Sequence, residues 1–328
     1  MGRRIVYMGT PEFACPALKM LADQSDVEIG LVVTQPDRAA GRGRKMQAPP
    51  VKQLAESLLL PVYQTASLRT KEQRQPLLNL QPDLIVVAAF GLILGTSILE
   101  LPPRGCVNLH ASILPWYRGA SPISASILNG DQETGVTLMR MERGLDTGPM
   151  LDTVRLDIAG DDTTASLTER LSLLAGELLV KNLDGLLTGS LPAVEQPPGA
   201  SVTRPLVKTD GWIDWARPAS EVERHVRAMW SWPRAWTTLP DGSPFQIHQA
   251  RADVESGPAV PGTMAVYDKA LVVRCGDGWI RVERGQLAGG KPLTGSQLAS
   301  TTQFAGSAIL GGEVSPDVYG PMVWAVSE

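Results

Sequence analysis

Short apolar runs alternate with longer mixed stretches from Arg4 to Leu187. Arg4–Met8, Glu28–Val33, Asp83–Ala89, Cys106–Leu109, Thr134–Met141 and Leu151–Leu156 have the length and the Val/Ile/Leu content of strands, with a shorter one at Pro61–Tyr63. Helical stretches lie between them. Thr10 before Pro11 predicts a capped helix start that runs to about Leu21. Val51–Leu59 and Thr70–Leu80 predict two more, and Ser121-Pro122 opens another that ends at Asn129-Gly130. Thr163–Leu187 is amphipathic, with Leu167, Leu171, Leu174 and Leu178 on one face, as for a core-packed helix. Strands alternating with helices predict an α/β domain with a parallel sheet and right-handed crossovers.

The pattern changes at Thr188–Pro205, which is rich in Pro, Gly and Ser and reads as an inter-domain linker. Ser220 and Glu223 then form a capping-box pattern before a short helix. From Thr237 to about Gly285, alternating runs are separated by Asp241-Gly242, Pro261-Gly262 and Asp277-Gly278, the spacing of a small β-barrel; Leu293–Ala299 adds a helix. The expected organisation is residues 1–187, a linker 188–205, a barrel domain 206–310 and a tail 311–328. The aromatic stretch Trp230–Trp236 reads first as the core of that small domain and second as a base-stacking platform.

Composition narrows the classes. The 328 residues suit two domains, and no segment has the length and apolarity of a membrane span. The chain enters its first strand at once, so no secretory signal is expected. Three scattered cysteines and three histidines argue against a disulfide framework or a metal cluster and suit a reducing cytoplasm. A net charge of -4 gives no bulk attraction to nucleic acid, so any such role rests on local patches. Neither a G-x-G-x-x-G fingerprint nor a P-loop is present.

The candidate chemistry lies between Gly105 and Leu151. Asn108 and His110 are two residues apart on a predicted strand, so both side chains face the same way. Asp146 follows in the glycine-bounded loop Arg143–Gly148. Asn can hold a developing oxyanion, His can move a proton near neutral pH, and Asp can orient the His or accept a proton. Without a nucleophile elbow, the set fits direct acyl transfer through a tetrahedral intermediate. A second feature is Thr34–Pro50, which lacks apolar periodicity and clusters Arg38, Arg42, Arg44 and Lys45 around Gly41 and Gly43. It reads either as a solvated surface loop or as a basic arm that orders on phosphates.

Taken together, Asn108–Pro115, Tyr117–Ile123, Thr134–Thr137 and Gly144–Gly148 resemble the formyltransferases that use 10-formyltetrahydrofolate. Ile113 stands where that family's pattern has Leu, and Trp116 where many members carry a small or basic residue. The resemblance implies catalytic roles for Asn108, His110 and Asp146. It also implies a Rossmann-like parallel-sheet domain followed by an oligonucleotide-fold-like (OB-like) barrel. The folate co-substrate would lie between Phe90, Gly91, Leu92 and Ile93 on one wall and Ser112, Ile113, Leu114 and Pro115 on the other. Gln35–Gly43, Trp212–Trp215 and Trp232–Trp236 are similar to the family members that formylate methionyl initiator tRNA. That similarity implies tRNA contacts by Arg42 with Arg38, Arg44 and Lys45, and by Arg204 and Lys208 near the linker. It also implies a monomer without a metal. Residues 206–328 hold 11 Lys and Arg against 13 Asp and Glu, so the second domain brings no general basic surface. Three other readings stay open: the same chemistry on an amino sugar nucleotide, hydrolysis of the formyl donor, and a tRNA-binding module without catalysis.

Overall fold

The computed structural model describes residues 3–40, 45–254, 257–301, 304, 309–311 and 322–326. The N-terminal part runs through β1 (Arg3–Gly9), α1 (Cys15–Ala22), β2 (Val27–Thr34), a hairpin of β3 (Arg38–Ala40) and β4 (Lys45–Gln47), α2 (Pro50–Ser57), β5 (Val62–Gln64) and α3 (Lys71–Leu80). It continues with β6 (Leu84–Ala88), α4 (Thr96–Leu99), β7 (Cys106–His110), β8 (Arg118–Gly119), α5 (Pro122–Asn129), β9 (Glu133–Arg140), β10 (Met150–Asp157) and α6 (Thr164–Thr188).

A seven-stranded sheet in the order β10-β9-β7-β6-β1-β2-β5 carries this part. The strands β7, β6, β1, β2 and β5 are parallel, as expected. β9 runs against β7, and β10 against β9, so the sheet as a whole is mixed. The reason is local. The loop after β7 and the short α5 stay at the carboxyl end of β7, and β9 starts back from there, with Thr137 opposite His110 and Arg140 opposite Val107.

Strand order reverses beside β1, which leaves a crevice at the carboxyl ends of β1 and β6. Thr10 Oγ1 donates across it to the Phe90 carbonyl at 3.0 Å. The hydroxyl is therefore not the expected helix cap: a single 3-10 turn, Glu12–Ala14, precedes α1, and neither start has a side-chain cap bond.

The period-two alternation of β7 divides its side chains. Val107 and Leu109 join the large core with the buried faces of α1 and α6, whereas Cys106 joins a second core with Val6, Met8 and Ile85. Asn108 and His110 share the parity of Cys106 and so lie on that second face. On α6, Leu167, Leu171 and Leu178 are buried and Leu174 is half-buried at the edge of the stripe. α1 and α6 approach closely, since a Cβ on Gly176 would come 2.6 Å from Met20 Sδ.

The second part comprises β11 (Ser201–Thr203), α7 (Ala219–Ala228), β12 (Ala235–Thr238), β13 (Pro244–Val254), β14 (Met264–Tyr267), β15 (Ala270–Arg274), β16 (Trp279–Leu287), β17 (Leu293–Thr294), α8 (Gly295–Ala299) and β18 (Val323–Ala325). Its antiparallel sheet follows the path β12-β13-β16-β15-β14, with β17 on β16. Register shifts along β13 bend that sheet. The helix α7 is not capped by Ser220; the Ala219 N–H donates to the Asp277 carboxylate at 2.8 Å, so a β-turn supplies the cap. The aromatic stretch Trp230–Trp236 packs only in part: Trp230 and Trp236 are half-buried, and the buried tryptophan nearby is Trp215, outside the stretch. Trp215 is buried with its Nε1 on Thr237 Oγ1 at 3.1 Å, and Trp212 meets Trp236 edge-on at 4.8 Å, while Trp232 stays exposed. Arg227 and Arg224 of α7 donate to the carbonyls of Asp162 and Leu128 and tie the two parts together. Among the described residues, no helix is long and apolar enough to cross a membrane.

The stretch 188–205 is more than the spacer its composition suggests. Its β11 pairs with β8 on one side and β18 on the other. Tyr117 N–H donates to Ser201 Oγ at 2.8 Å, and Ser121 N–H to Thr203 Oγ1 at 3.0 Å. Gly119 sits at φ +96°, and a Cβ there would fall 2.2 Å from the Thr203 carbonyl oxygen. Both the backbone angle and the space require glycine. Gly119→Ala is expected to destabilise the protein by about 1–3 kcal/mol, read as a lower urea midpoint at unchanged slope. An unchanged midpoint would mean that β8 and β11 separate without cost.

Candidate active site

The strand β7 presents Asn108 and His110 side by side, and the loop between β9 and β10 folds back to bring Asp146 against both. Asn108 Nδ2 donates to Asp146 Oδ1 at 3.4 Å. His110 Nδ1 lies 3.6 Å from Asp146 Oδ2, and the same oxygen accepts the Gly119 N–H at 2.8 Å. All three side chains are largely withdrawn from solvent, Asp146 being 13% exposed and His110 6%. Asp146 itself adopts φ +52°, a left-handed conformation that non-glycine residues hold only when their surroundings impose it.

The hydrogen-bond partners define the imidazole. His110 Nε2 is 2.9 Å from the Tyr117 carbonyl oxygen. A carbonyl only accepts, so Nε2 carries the hydrogen. Nδ1 faces a carboxylate, which also only accepts, so both ring nitrogens meet acceptors. Tyr117 is held in turn at φ +57°: its N–H is on Ser201, and its hydroxyl donates to Asp131 at 2.6 Å and accepts from Asn129 at 2.7 Å. Burial pushes the Tyr117 hydroxyl well above the ordinary phenol range, so it remains a donor.

The crevice wall at residues 89–95 is shaped by backbone. Ala89 and Gly91 have φ of +45° and +78°. The Phe90 carbonyl accepts from Thr10 and from Gln35 Nε2, the latter at 2.8 Å, and a Cβ on Gly91 would come 2.5 Å from that same nitrogen. Ile93 is 89% exposed, whereas the Phe90 ring belongs to the second core with Val33 and Leu68. The Phe90 ring is therefore turned into that core, and its carbonyl is taken by Thr10 and Gln35. In the loop after β7, the Ser112 hydroxyl donates to the Trp116 carbonyl at 2.6 Å, and the Leu114 side chain is buried. Thr137 holds this loop by donating to the Ser112 carbonyl at 2.7 Å and accepting the Leu114 N–H at 3.2 Å. A depression of about 240 Å³ lined by Pro244, Gln246, Gln286 and Leu287 lies on the second sheet and shares no residue with this site.

The basic loop is ordered at its base. β3 and β4 form a hairpin where no regular element was expected, and Arg42 and Arg44 lie outside the described residues. Arg38 is exposed and donates to Gln35; Lys45 is exposed on β4. Gln64 and Lys52 both donate to Asp37, which holds its carboxyl below the usual carboxylate range. Of the two cations near the linker, Arg204 is engaged by Asp210 through two hydrogen bonds of 2.6 and 2.7 Å, and its side chain is only 18% exposed. That pairing offsets the charge expected to meet a phosphate. Lys208 lies over the Trp236 ring at 5.9 Å.

Several residues that build the site escaped sequence reading: Thr137, Ser201, Gln35 and Gln196. Thr137 and Gln35 carried a signal, their places inside resembling strings; Ser201 and Gln196 carried none.

Fold and site together define a group-transfer enzyme on an α/β sheet. A family described as formyl transferase matches residues 3–183, and a formyl transferase C-terminal domain matches 205–303. The chain belongs to the formyl transferase family, in its methionyl-tRNA formyltransferase branch. A protein of that name from Trichlorobacter lovleyi is 45% identical over 317 residues, covering 96% of this chain and 99% of its own. One from Ectopseudomonas mendocina is 46% identical over 312 residues, covering 94% and 98%. Among solved structures, an N-formyltransferase from Helicobacter canadensis in complex with folinic acid and dTDP-3-aminofucose superposes with a TM-score of 0.64 at 18% identity, over 86% of this chain and 99% of its own. At that identity the likeness concerns the fold.

Asn108→Ala, His110→Ala and Asp146→Ala are each expected to lower turnover by at least about 10²-fold in a formyl-transfer assay with folding intact by circular dichroism. Near-normal turnover in any one of them would remove that residue from the reaction.

Proposed function

We propose that the protein transfers the formyl group of 10-formyltetrahydrofolate to the α-amino group of methionyl initiator tRNA. The product, N-formylmethionyl-tRNA, serves translation initiation. The observation that carries the reading is the Asn108–His110–Asp146 set, assembled in a chain similar over nearly its whole length to proteins of that name. The parts follow the same division: residues 1–187 for chemistry and 206–310 for the acceptor. The protein acts as a cytoplasmic monomer and needs no metal.

The crevice beside residues 89–95 suits a folate in kind. The positive φ at Gly91, the exposed Ile93 and the irregular backbone give a flat ring system an apolar edge and peptide groups to bond. Ser112, Ile113, Leu114 and Pro115 form the facing wall, chiefly through backbone.

In the reaction, the neutral amine of the methionyl ester attacks the formyl carbon. Asn108 uses one amide hydrogen on Asp146 and offers the other to the formyl oxygen as it becomes negative. His110, its ring nitrogens turned to Tyr117 and Asp146, contributes as a positive charge beside that oxygen rather than as its direct donor. Asp146 keeps that charge in place and takes the proton of the attacking amine through a water. The same proton is passed on through that water to the departing folate nitrogen as its bond to carbon breaks; the amine attacks the formyl carbon directly, so no covalent enzyme intermediate forms.

The acceptor is selected elsewhere. Arg42, with Arg38, Arg44 and Lys45, contacts tRNA phosphates; Arg38 and Lys45 lie on the hairpin strands beside the Asp37, Gln64 and Lys52 contacts. Lys208 adds a cation on the second part, while Arg204 serves mainly to hold Asp210. An amino sugar nucleotide is the alternative acceptor. The branch similarity and the tryptophan-rich second part favour tRNA.

The test compares formyl transfer to methionyl initiator tRNA, methionyl elongator tRNA and an amino sugar nucleotide. Formylation of the initiator alone is expected; transfer only to the sugar would overturn the acceptor. Arg42→Ala is expected to raise KM for the charged tRNA about tenfold or more, the loss of one phosphate contact, and leave folate affinity unchanged. Equal loss of both would contradict the division of labour.

A further inference from the structure

The carboxamide of Gln196 sits inside the stretch joining the two parts, yet it reaches the loop that carries Asp146. Its Nε2 donates to the Asp146 carbonyl at 2.7 Å and to the Gly148 carbonyl at 2.8 Å. Its Oε1 accepts from Arg118 Nε at 3.0 Å and Nη2 at 2.8 Å. The partners fix the amide's orientation, because a guanidinium only donates and a carbonyl only accepts. No other side chain replaces it. Glutamate would keep Arg118 but set an oxygen against two carbonyl oxygens, and asparagine is one methylene short. The backbone near Gln196 is anchored by reciprocal hydrogen bonds of 2.8 Å between Val194 and Met150.

These contacts close a ring. The Asp146 carboxylate accepts from Gly119; Gly119 is bonded to Arg118; Arg118 donates to Gln196; Gln196 donates back to the Asp146 carbonyl. Asp146 is thereby gripped at both ends, which explains how it keeps φ +52°. Swinging its carboxylate away from His110 requires breaking the ring. We propose that Gln196 is a positioning residue for formyl transfer, acting on the reaction through Asp146. The inference rests on the proposed formyl-transfer chemistry, but its consequence for the Asp146–His110 pair holds for any acceptor.

The experiment uses the full chain with Gln196→Ala, Gln196→Glu, Asp146→Asn and the Gln196→Ala/Asp146→Asn double variant. Gln196→Ala and Gln196→Glu are expected to lower kcat for methionyl-tRNA formylation about 10- to 100-fold while KM for both substrates stays within about threefold. In the Asp146→Asn background, Gln196→Ala should add little further loss, because its route to the reaction is already gone. Additive losses, or a loss confined to KM, would overturn the proposal. The second readout needs no substrate: the His110 ring nitrogen signals, followed by NMR at one fixed pH, should move in Gln196→Ala in the direction they move in Asp146→Asn. His110 ring signals identical to those of the unmodified protein would overturn the proposal independently. Absence of tRNA formylation by the unmodified protein would overturn the proposed acceptor, and the NMR comparison would still decide the role of Gln196.

Discussion

A carboxylate must be held still against an imidazole and an amide at the edge of a buried strand. Most of the local architecture answers to that requirement. Asp146 is charged and only 13% exposed, so water does little to stabilise it. Its oxygens are instead satisfied by the Gly119 N–H, Asn108 and the facing His110 ring. Each of these partners is fixed by something further out. Asn108 and His110 are fixed by the pleat of β7, and Gly119 by the pairing of β8 with β11. A buried charge with one partner missing is costly, and the network therefore holds or fails as a unit.

The sheet topology makes this possible by turning back at β9. A further parallel strand would have needed a crossover away from the carboxyl end of β7. The short α5 and the antiparallel β9 keep the chain near that end. Thr137 of β9 can then hold the Ser112–Leu114 loop, while the loop after β9 delivers Asp146 to the face of β7. The reversal beside β1 meanwhile opens the neighbouring crevice. The crevice and the Asn108–His110–Asp146 cluster thus lie along the carboxyl edge of one sheet.

The strands and most helices were legible because local period decides them. The caps that do form, Thr70 with Gln73 and Thr163 with Ser166, are ones the sequence analysis did not single out. Asn108, His110 and Asp146 were legible because two lie on one strand face and all three fall in one recognisable string. The failures share a cause, competition from distant partners. Thr10 could have capped a helix, but the Phe90 carbonyl 80 residues away takes its hydroxyl. Ser220 lost its capping role to Asp277. The Phe90 ring found the core, and the Arg204 charge found Asp210. Gln196 was invisible because Pro, Gly and Ser around it spell a linker, and its partners lie 48 to 78 residues away.

The joining stretch thereby takes on a meaning that its composition hides. β11 lies between β8, whose Gly119 bonds the Asp146 carboxylate, and β18, which comes from the far end of the chain. Its two edges are therefore paired with strands from both parts. A displacement of the second part is opposed at α7 by the Arg227 and Arg224 contacts, and along β11 by the bonds to Tyr117 and Ser121. Tyr117 is the residue whose carbonyl orients His110. Between Ser201 and the imidazole stand one serine hydroxyl and the backbone of Tyr117, and between the joining stretch and Asp146 stands the Gln196 amide. The stretch joins the two parts in space and in chemistry, because the bonds that hold the second part in place also complete the site on the first.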